Sequence, residues 1–266
     1  MPPSVFDAAP APGSVVLVTG GTRSIGRAIA EGFLGSGAEV EICARNPPAG
    51  TVERDGRSAV FTPCDVRDPD QVAALVEGVV ARRGRLDVLV NNAGGAPPAP
   101  SATASPRFNE KIVALNLLAP LMLAQAVHPV MVGQPDGGVI INVSSVSGMR
   151  ANPTGAAYGA AKAGLLNLTE TLAVEWGPAI RVVALTLGLI VTEEAGVYYG
   201  DADGLASVSA TIPLGRMGTP ADAAAACLFL ASPAAAWMSG TNLVLHGGGE
   251  RPAYLGASTG AVTQLG

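Results

Sequence analysis

Ser14-Val15-Val16-Leu17-Val18-Thr19-Gly20-Gly21-Thr22-Arg23-Ser24-Ile25-Gly26 decides the fold. Residues 14–19 form a short β-branched run with no polar break, the pattern of a strand covered on both faces. A glycine-rich turn follows, and a helical pattern runs from Ser24 to Ser36. Glycines let such a turn bend sharply and approach an anion, while the N–H groups at the helix start face it. Gly20, Thr22, Arg23, Ser24, Ile25 and Gly26 are therefore expected to cradle a diphosphate. Ser24 stands where a glycine is commonest; its hydroxyl is free to donate a hydrogen bond or to cap the helix.

Outward from this unit, strands and helices alternate. Strands are expected at 39–44, 58–63, 86–90, 139–143, 181–187 and 242–245, with helices at 71–83, 113–132, 157–176 and 221–231. Alternation implies parallel pairing through right-handed crossovers, hence an α/β fold with one doubly wound parallel sheet and helices on both faces. One domain spans 14–249, after a frayed leader (1–13) and before a tail (250–266). In that tail Pro252-Ala253-Tyr254-Leu255 is a candidate contact for a neighbouring subunit. Gly95–Arg107 and Thr192–Gly218 are irregular and leave from strand carboxyl ends, where such sheets bind ligands. Tyr198, Tyr199 and Met217 fall in the second stretch.

Composition narrows the function. Apolar residues make up 48% of the chain, enough for a core on each face of a sheet. The net charge is −5 with no basic stripe, so nucleic acid is not an expected partner. Cys43, Cys64 and Cys227 are far apart, with no Cys/His cluster, so no metal site is expected and the thiols read as reduced and cytoplasmic. The leader lacks the basic start and apolar core of a signal peptide. Val113–Val132 is apolar, but Asn116, Pro120, Gln125 and His128 interrupt it, which fits a buried helix better than a membrane span. His128, His246, Trp176 and Trp237 read as structural packing.

Charge also bears on the cofactor. Dinucleotide sites for an unphosphorylated ribose place Asp or Glu at the tip of the second strand. Here the tip is Ala44-Arg45, with Arg23 in the adjacent turn, and Glu41 lies too far back. Two guanidiniums suit a 2′-phosphate, so NADP(H) is the expected cofactor.

Tyr158 and Lys162 are four residues apart on one helical face. A phenol titrates about three units above neutrality, so its anion lies roughly 4 kcal/mol uphill at pH 7. A lysine cation beside it is expected to lower that gap, letting the phenol pass a proton to or from a substrate oxygen. Ser145 ends the fifth strand and is placed to polarise that oxygen. Asn116 sits in the preceding helix.

These motifs together resemble the classical short-chain dehydrogenase/reductase family over about Ser14–Gly249. The carriers are the glycine-rich turn, Cys64-Asp65-Val66, Asn91-Asn92-Ala93-Gly94, Asn116, Ser145, Tyr158-x-x-x-Lys162 and the late Ser239-Gly240…Gly247-Gly248. The resemblance implies a Rossmann fold, with Asp65 and Val66 flanking adenine and Asn92, Ala93 and Gly94 lining the middle of the cofactor. It gives Lys162 the nicotinamide ribose, Ile190 and Thr192 the carboxamide, and Asn116 a water-linked proton relay through Lys162. It implies reduction of a carbonyl or oxidation of a secondary alcohol, most like 3-oxoacyl-thioester reductases, in a homotetramer or homodimer. A steroid or other hydrophobic ketone or alcohol is the alternative substrate, and a non-catalytic NADP sensor the alternative of another class. Val183 and Leu187 depart from the family pattern, which favours asparagine and proline there.

Overall fold

β1 (Val15–Thr19) lies inside the sheet, flanked by a strand on each side, with all five residues buried. The computed structural model describes residues 8–253 and residue 257. The other strands of the main sheet are β2 (Glu39–Ala44), β3 (Val60–Pro63), β4 (Val88–Asn91), β5 (Gly138–Ser145), β6 (Ile180–Leu187) and β7 (Asn242–Leu245). They lie in the order β3-β2-β1-β4-β5-β6-β7, every neighbour parallel. The chain builds outward from β1 in one direction, then crosses back and continues from β4. That reversal leaves a crevice beyond the carboxyl ends of β1 and β4.

Alternate side chains of each strand feed separate cores. Val16, Val18, Val40, Ile42 and Val90 pack under α1 (Ser24–Gly35) and α8 (Pro220–Ala231), with Phe33 and Cys227 fully buried between. Val15, Leu17, Leu89 and Ile140 pack under α2 (Pro69–Arg83) and α4 (Ala119–Val132), where Leu75, Leu123 and Met131 fill the layer. Helix ends are specified locally. Asp68 caps α2 by accepting from the amides of Asp70 and Gln71, and Gly84 closes it in a left-handed turn (φ 72°). Thr219 and Asp222 form a reciprocal capping box at the start of α8.

Several boundaries differ from the sequence reading. The Asp68 cap starts α2 earlier, and β4 runs over Val88–Asn91 rather than 86–90. A small antiparallel ribbon, Glu53–Arg54 with Arg57–Ser58, takes Ser58 away from β3; its two-residue strands are too short to show a period. The apolar 113–132 segment belongs to a longer helical run: α3 (Pro106–Val113), a π-helical turn (Ala114–Leu118) and α4. By length and apolarity Pro106–Val132 would suffice to cross a membrane, yet it presents Ile112, Asn116, Leu123, Val127 and Met131 to the protein core. α5 (Ala156–Trp176) matches its expected place, and α6 (Ala195–Tyr199) and α7 (Ala202–Ala210) lie inside the 192–218 stretch read as irregular. Val183 and Leu187 are buried in a β6 that stays regular to its end. Trp176 stacks on His128 at 4.7 Å, but Trp237 projects wholly into solvent and is not a packing residue within this chain. The end of the leader is not frayed: Pro10 is buried and Gly13 donates to Gly37 O at 2.9 Å. Residues 1–7 and the expected tail contact at Tyr254 and Leu255 lie outside the described residues.

Candidate active site

The turn after β1 is built for close approach. Gly20 has φ 66°, and a Cβ on Gly26 would sit 2.1 Å from Gly20 O, so neither position accepts a side chain without rearrangement. Thr19 joins this turn to the end of β4: its hydroxyl accepts from the amides of Asn92 (3.0 Å) and Ala93 (2.9 Å) and donates to Val90 O at 3.3 Å. Asn92 Nδ2 donates back to Thr19 O at 2.9 Å. Thr19 was not singled out in the sequence, because a threonine ending a strand has no signature of its own.

Ser24 sits at φ 49°, a left-handed conformation that L side chains rarely adopt, which explains the preference for glycine there. It does not cap the helix; Arg23 holds that position, without a side-chain cap bond. The Ser24 hydroxyl is buried and has no hydrogen-bond partner among the described residues. An orphaned donor inside a glycine cradle at a helix start fits an anionic phosphate group.

One cavity of about 810 Å³ runs from this turn across the carboxyl ends of the strands. Gly20, Thr22, Arg23, Ser24, Ile25, Gly26, Arg45, Asp65, Val66, Asn92, Ala93, Gly94, Tyr158, Lys162, Ile190 and Thr192 all line it. Arg67, missed in the sequence, lines it too; its guanidinium donates from Nε to Asp65 at 2.9 Å and holds that carboxyl below its usual range. Arg23 is ion-paired with Glu194 across the cleft. Arg45 makes no ion pair among the described residues. Glu41 is buried behind the cleft and bound by Arg82 and Arg83.

At the centre of the cavity β5 ends in Ser145, a short 3-10 turn (Val146–Gly148) follows, and α5 returns beside it. A Cβ on Gly148 would lie 2.7 Å from Ala163 N, and one on Gly159 2.8 Å from Ser147 O. Glycine at both sites lets the turn lie directly on α5, which brings Tyr158 to Ser145. Lys162, 4% exposed, donates to Val143 O at 2.7 Å, with Nζ 5.7 Å from the Tyr158 ring centre. Ser144 Oγ donates to Lys162 O at 3.2 Å and adds a second tie between β5 and α5.

Burial depresses the Lys162 pKa to about 8 and raises that of Tyr158, which the nearby Ser145 hydroxyl partly offsets. Desolvation of both groups dominates, and the phenol is held protonated. It is thus poised as a proton donor to an oxygen that Ser145 also reaches. Asn116 is buried in the π-helical turn and does not line the cavity. Its amide accepts from Gly95 N (2.9 Å) and donates to Gly95 O (3.0 Å) and Ile112 O (2.9 Å). A Cβ on Gly94 would meet Asn116 Oδ1 at 2.8 Å and Lys162 Nζ at 3.4 Å, so the missing side chain leaves both polar atoms facing one gap.

Beyond Ser145 and Tyr158 the wall mixes polar side chains (Arg150, Asn152, Glu193, Tyr198, Tyr199) with apolar ones (Ala96, Pro97, Leu189, Ala195). Tyr198 donates to Ala96 O at 3.1 Å and so joins the two long connections. Met217 is instead buried beneath its loop.

Residues 20–250 match a family described as enoyl-(acyl carrier protein) reductase. The chain is 38% identical over 246 residues to L-fucose dehydrogenase of Oryctolagus cuniculus, covering 90% of this chain and 85% of that one. It is 36% identical over 242 residues to a 3-oxoacyl-[acyl-carrier-protein] reductase of Thermotoga maritima, covering 89% and 97%. A solved structure described as a putative NAD(P)-dependent gluconate 5-dehydrogenase of Beutenbergia cavernae, with NADP bound at low occupancy, superposes with a TM-score of 0.84. It is 34% identical and covers 91% of this chain and 98% of its own.

Proposed function

The chain belongs to the classical short-chain dehydrogenase/reductase family, and on that premise we propose that it is an NADP(H)-dependent enzyme interconverting a carbonyl and a secondary alcohol, with Tyr158 as proton donor and acceptor. The observation that carries the reading is the meeting of Ser145, Tyr158 and Lys162 on the wall of the cavity that begins at the phosphate turn. Bound nicotinamide supplies or accepts the hydride. Ser145 holds the substrate oxygen by its hydroxyl, and Tyr158 gives that oxygen a proton during reduction or takes one during oxidation. Lys162, anchored on Val143 O, holds the cofactor ribose beside the phenol. Asn116 holds Gly95 and supports a water-linked proton relay through Lys162 across the gap at Gly94. Gly20, Thr22, Ser24, Ile25 and Gly26 hold the diphosphate, Asp65 and Val66 the adenine, and Ile190 and Thr192 the carboxamide.

The preference for NADP(H) rests on Arg45, assisted by Arg23, beside a strand tip with no ribose-binding carboxylate. The motifs resemble 3-oxoacyl-thioester reductases, and one relative carries that name. The polar wall of Arg150, Asn152, Glu193 and Tyr199 favours a second reading, an oxygen-rich substrate of the kind named for the L-fucose dehydrogenase relative. We further propose a cytoplasmic homotetramer paired through the π-helical turn, α4 and α5, where Leu118, Val132 and Val174 are exposed.

Cofactor oxidation with a panel of ketones, sugars and 3-oxoacyl thioesters tests this. Wild type should consume NADPH with at least one substrate class and bind NADPH at least about tenfold tighter than NADH. Tyr158→Phe should lose about 10²–10⁴-fold in rate while retaining NADPH affinity. Equal inactivity of both proteins across the panel, with NADPH still bound, would favour the sensor.

A further inference from the structure

We propose that a second cavity, beside Tyr158, is the seat of an unbranched alkyl arm on the reacting carbonyl carbon. This rests on the carbonyl–alcohol reading above and names the substrate class: a ketone with one linear aliphatic substituent, and its secondary alcohol counterpart.

The cavity measures about 310 Å³, within the size class of small-ligand pockets, and lies between the connection after β4, α3 and the start of α5. Ala96, Pro97, Ile112, Thr154, Gly155 and Tyr158 line both it and the larger cavity, so the two adjoin at the catalytic phenol. A substituent on a carbon reacting beside Tyr158 therefore has this pocket next to it. The remaining wall is mostly apolar, with Ala104, Phe108, Ala157 and Ala160, and among the described residues nothing ionisable but the phenol lines it. The larger cavity, by contrast, carries Arg45, Arg150 and Glu193. Methylenes gain from a wall of this kind, whereas sugar hydroxyls would give up water there for too few partners.

Local sequence builds the pocket and keeps it open. Ser105 caps α3 by accepting from the Phe108 amide, and Phe108 and Ile112 follow one turn apart on the same helical face. Across from them α5 opens with alanines at 156, 157 and 160, whose small side chains leave the space unfilled. The third wall, residues 96–99, is fastened twice. Ala96 O accepts from the Tyr198 hydroxyl at 3.1 Å, and Ala99 N donates to Thr154 O at 2.8 Å. Thr154 makes that bond from φ 65°, a left-handed conformation that a β-branched residue rarely takes. Backbone strain of this kind persists where a site needs the shape, and here it fixes the wall that the two cavities share.

Calorimetric titration of the NADP⁺ complex, in which a ketone cannot be reduced, tests the pocket without turnover. The probes are linear methyl ketones from 2-butanone to 2-nonanone. Affinity should rise about threefold per added methylene until the chain fills the space. Ala160→Leu fills the pocket from α5 and should cut the nonanone-to-butanone affinity ratio at least about tenfold. Asn109→Asp keeps the size of a lining side chain but adds a charge, and should cut the ratio severalfold even if the leucine variant fails to fold. Equal affinity along the series would overturn the proposal and leave the pocket to a neighbouring subunit. A chain-length gain that the folded variants leave intact would also overturn it, by putting the chain elsewhere. NADPH consumption tests the underlying reading separately, because it needs Tyr158 but not the pocket.

Discussion

Ser24 concentrates two costs in one residue, a left-handed backbone and a buried hydroxyl with no partner. A diphosphate accepting from that hydroxyl relieves the second. Ser24→Gly should therefore stabilise the cofactor-free protein by up to about 1 kcal/mol, and weaken NADPH binding about two- to tenfold through the lost donor. Ser24→Ala should weaken binding equally and gain stability only from loss of the orphaned hydroxyl, because its backbone stays left-handed. Denaturant unfolding and fluorescence titration measure the two effects. Lys162 gives a pH prediction. Its folded pKa of about 8 lies below the ordinary 10.5, so burying the ammonium costs about 3 kcal/mol below pH 8. Between about pH 8 and 10.5 the unfolded chain binds the extra proton, and stability rises with pH. Lys162→Met should be more stable than wild type at pH 7, and the difference should shrink through that window. Sequence spacing put Ser145 at a strand end and Tyr158 and Lys162 on one helical face, and the structure has them there, while their proposed roles come from the family resemblance. It did not reveal the direction of the phenol's shift, which depends on how deeply the completed fold buries both groups.

Elements carry these residues to one place. The Pro106–Val132 run needs its π-helical turn to aim Asn116 at Gly95, and nothing in the apolar period announces such a turn. Likewise α6 and α7 were hidden in 192–218 because five- and nine-residue helices give too few turns for a stripe. That stretch reaches back to the phosphate turn through Glu194 and Arg23. Removing the carboxylate should free Arg23 for a 2′-phosphate. Glu194→Gln is expected to tighten NADPH about threefold relative to NADH, an advantage that fades with added salt. An unchanged NADPH/NADH ratio would remove Arg23 from cofactor selection and leave that role to Arg45.

At the scale of the molecule, the parallel order around β1 was legible because buried strands and amphipathic helices alternate without interruption. What stayed hidden was three-dimensional adjacency, such as Arg150 on Glu250, a hundred residues apart. The sheet matters to function through its crevice, where the turn after β1, the end of β4 and the start of α5 share one cavity. The central claim is that this cavity aligns a nicotinamide with an oxygen held by Ser145 and Tyr158. Label transfer from NADPH deuterated at nicotinamide C4 to a ketone, read by mass spectrometry of the alcohol, tests it most directly. Wild type should place one deuterium on the carbinol carbon, and Tyr158→Phe should bind the cofactor equally well yet transfer label about 10²–10⁴-fold more slowly. Transfer by Tyr158→Phe at the wild-type rate would contradict the account.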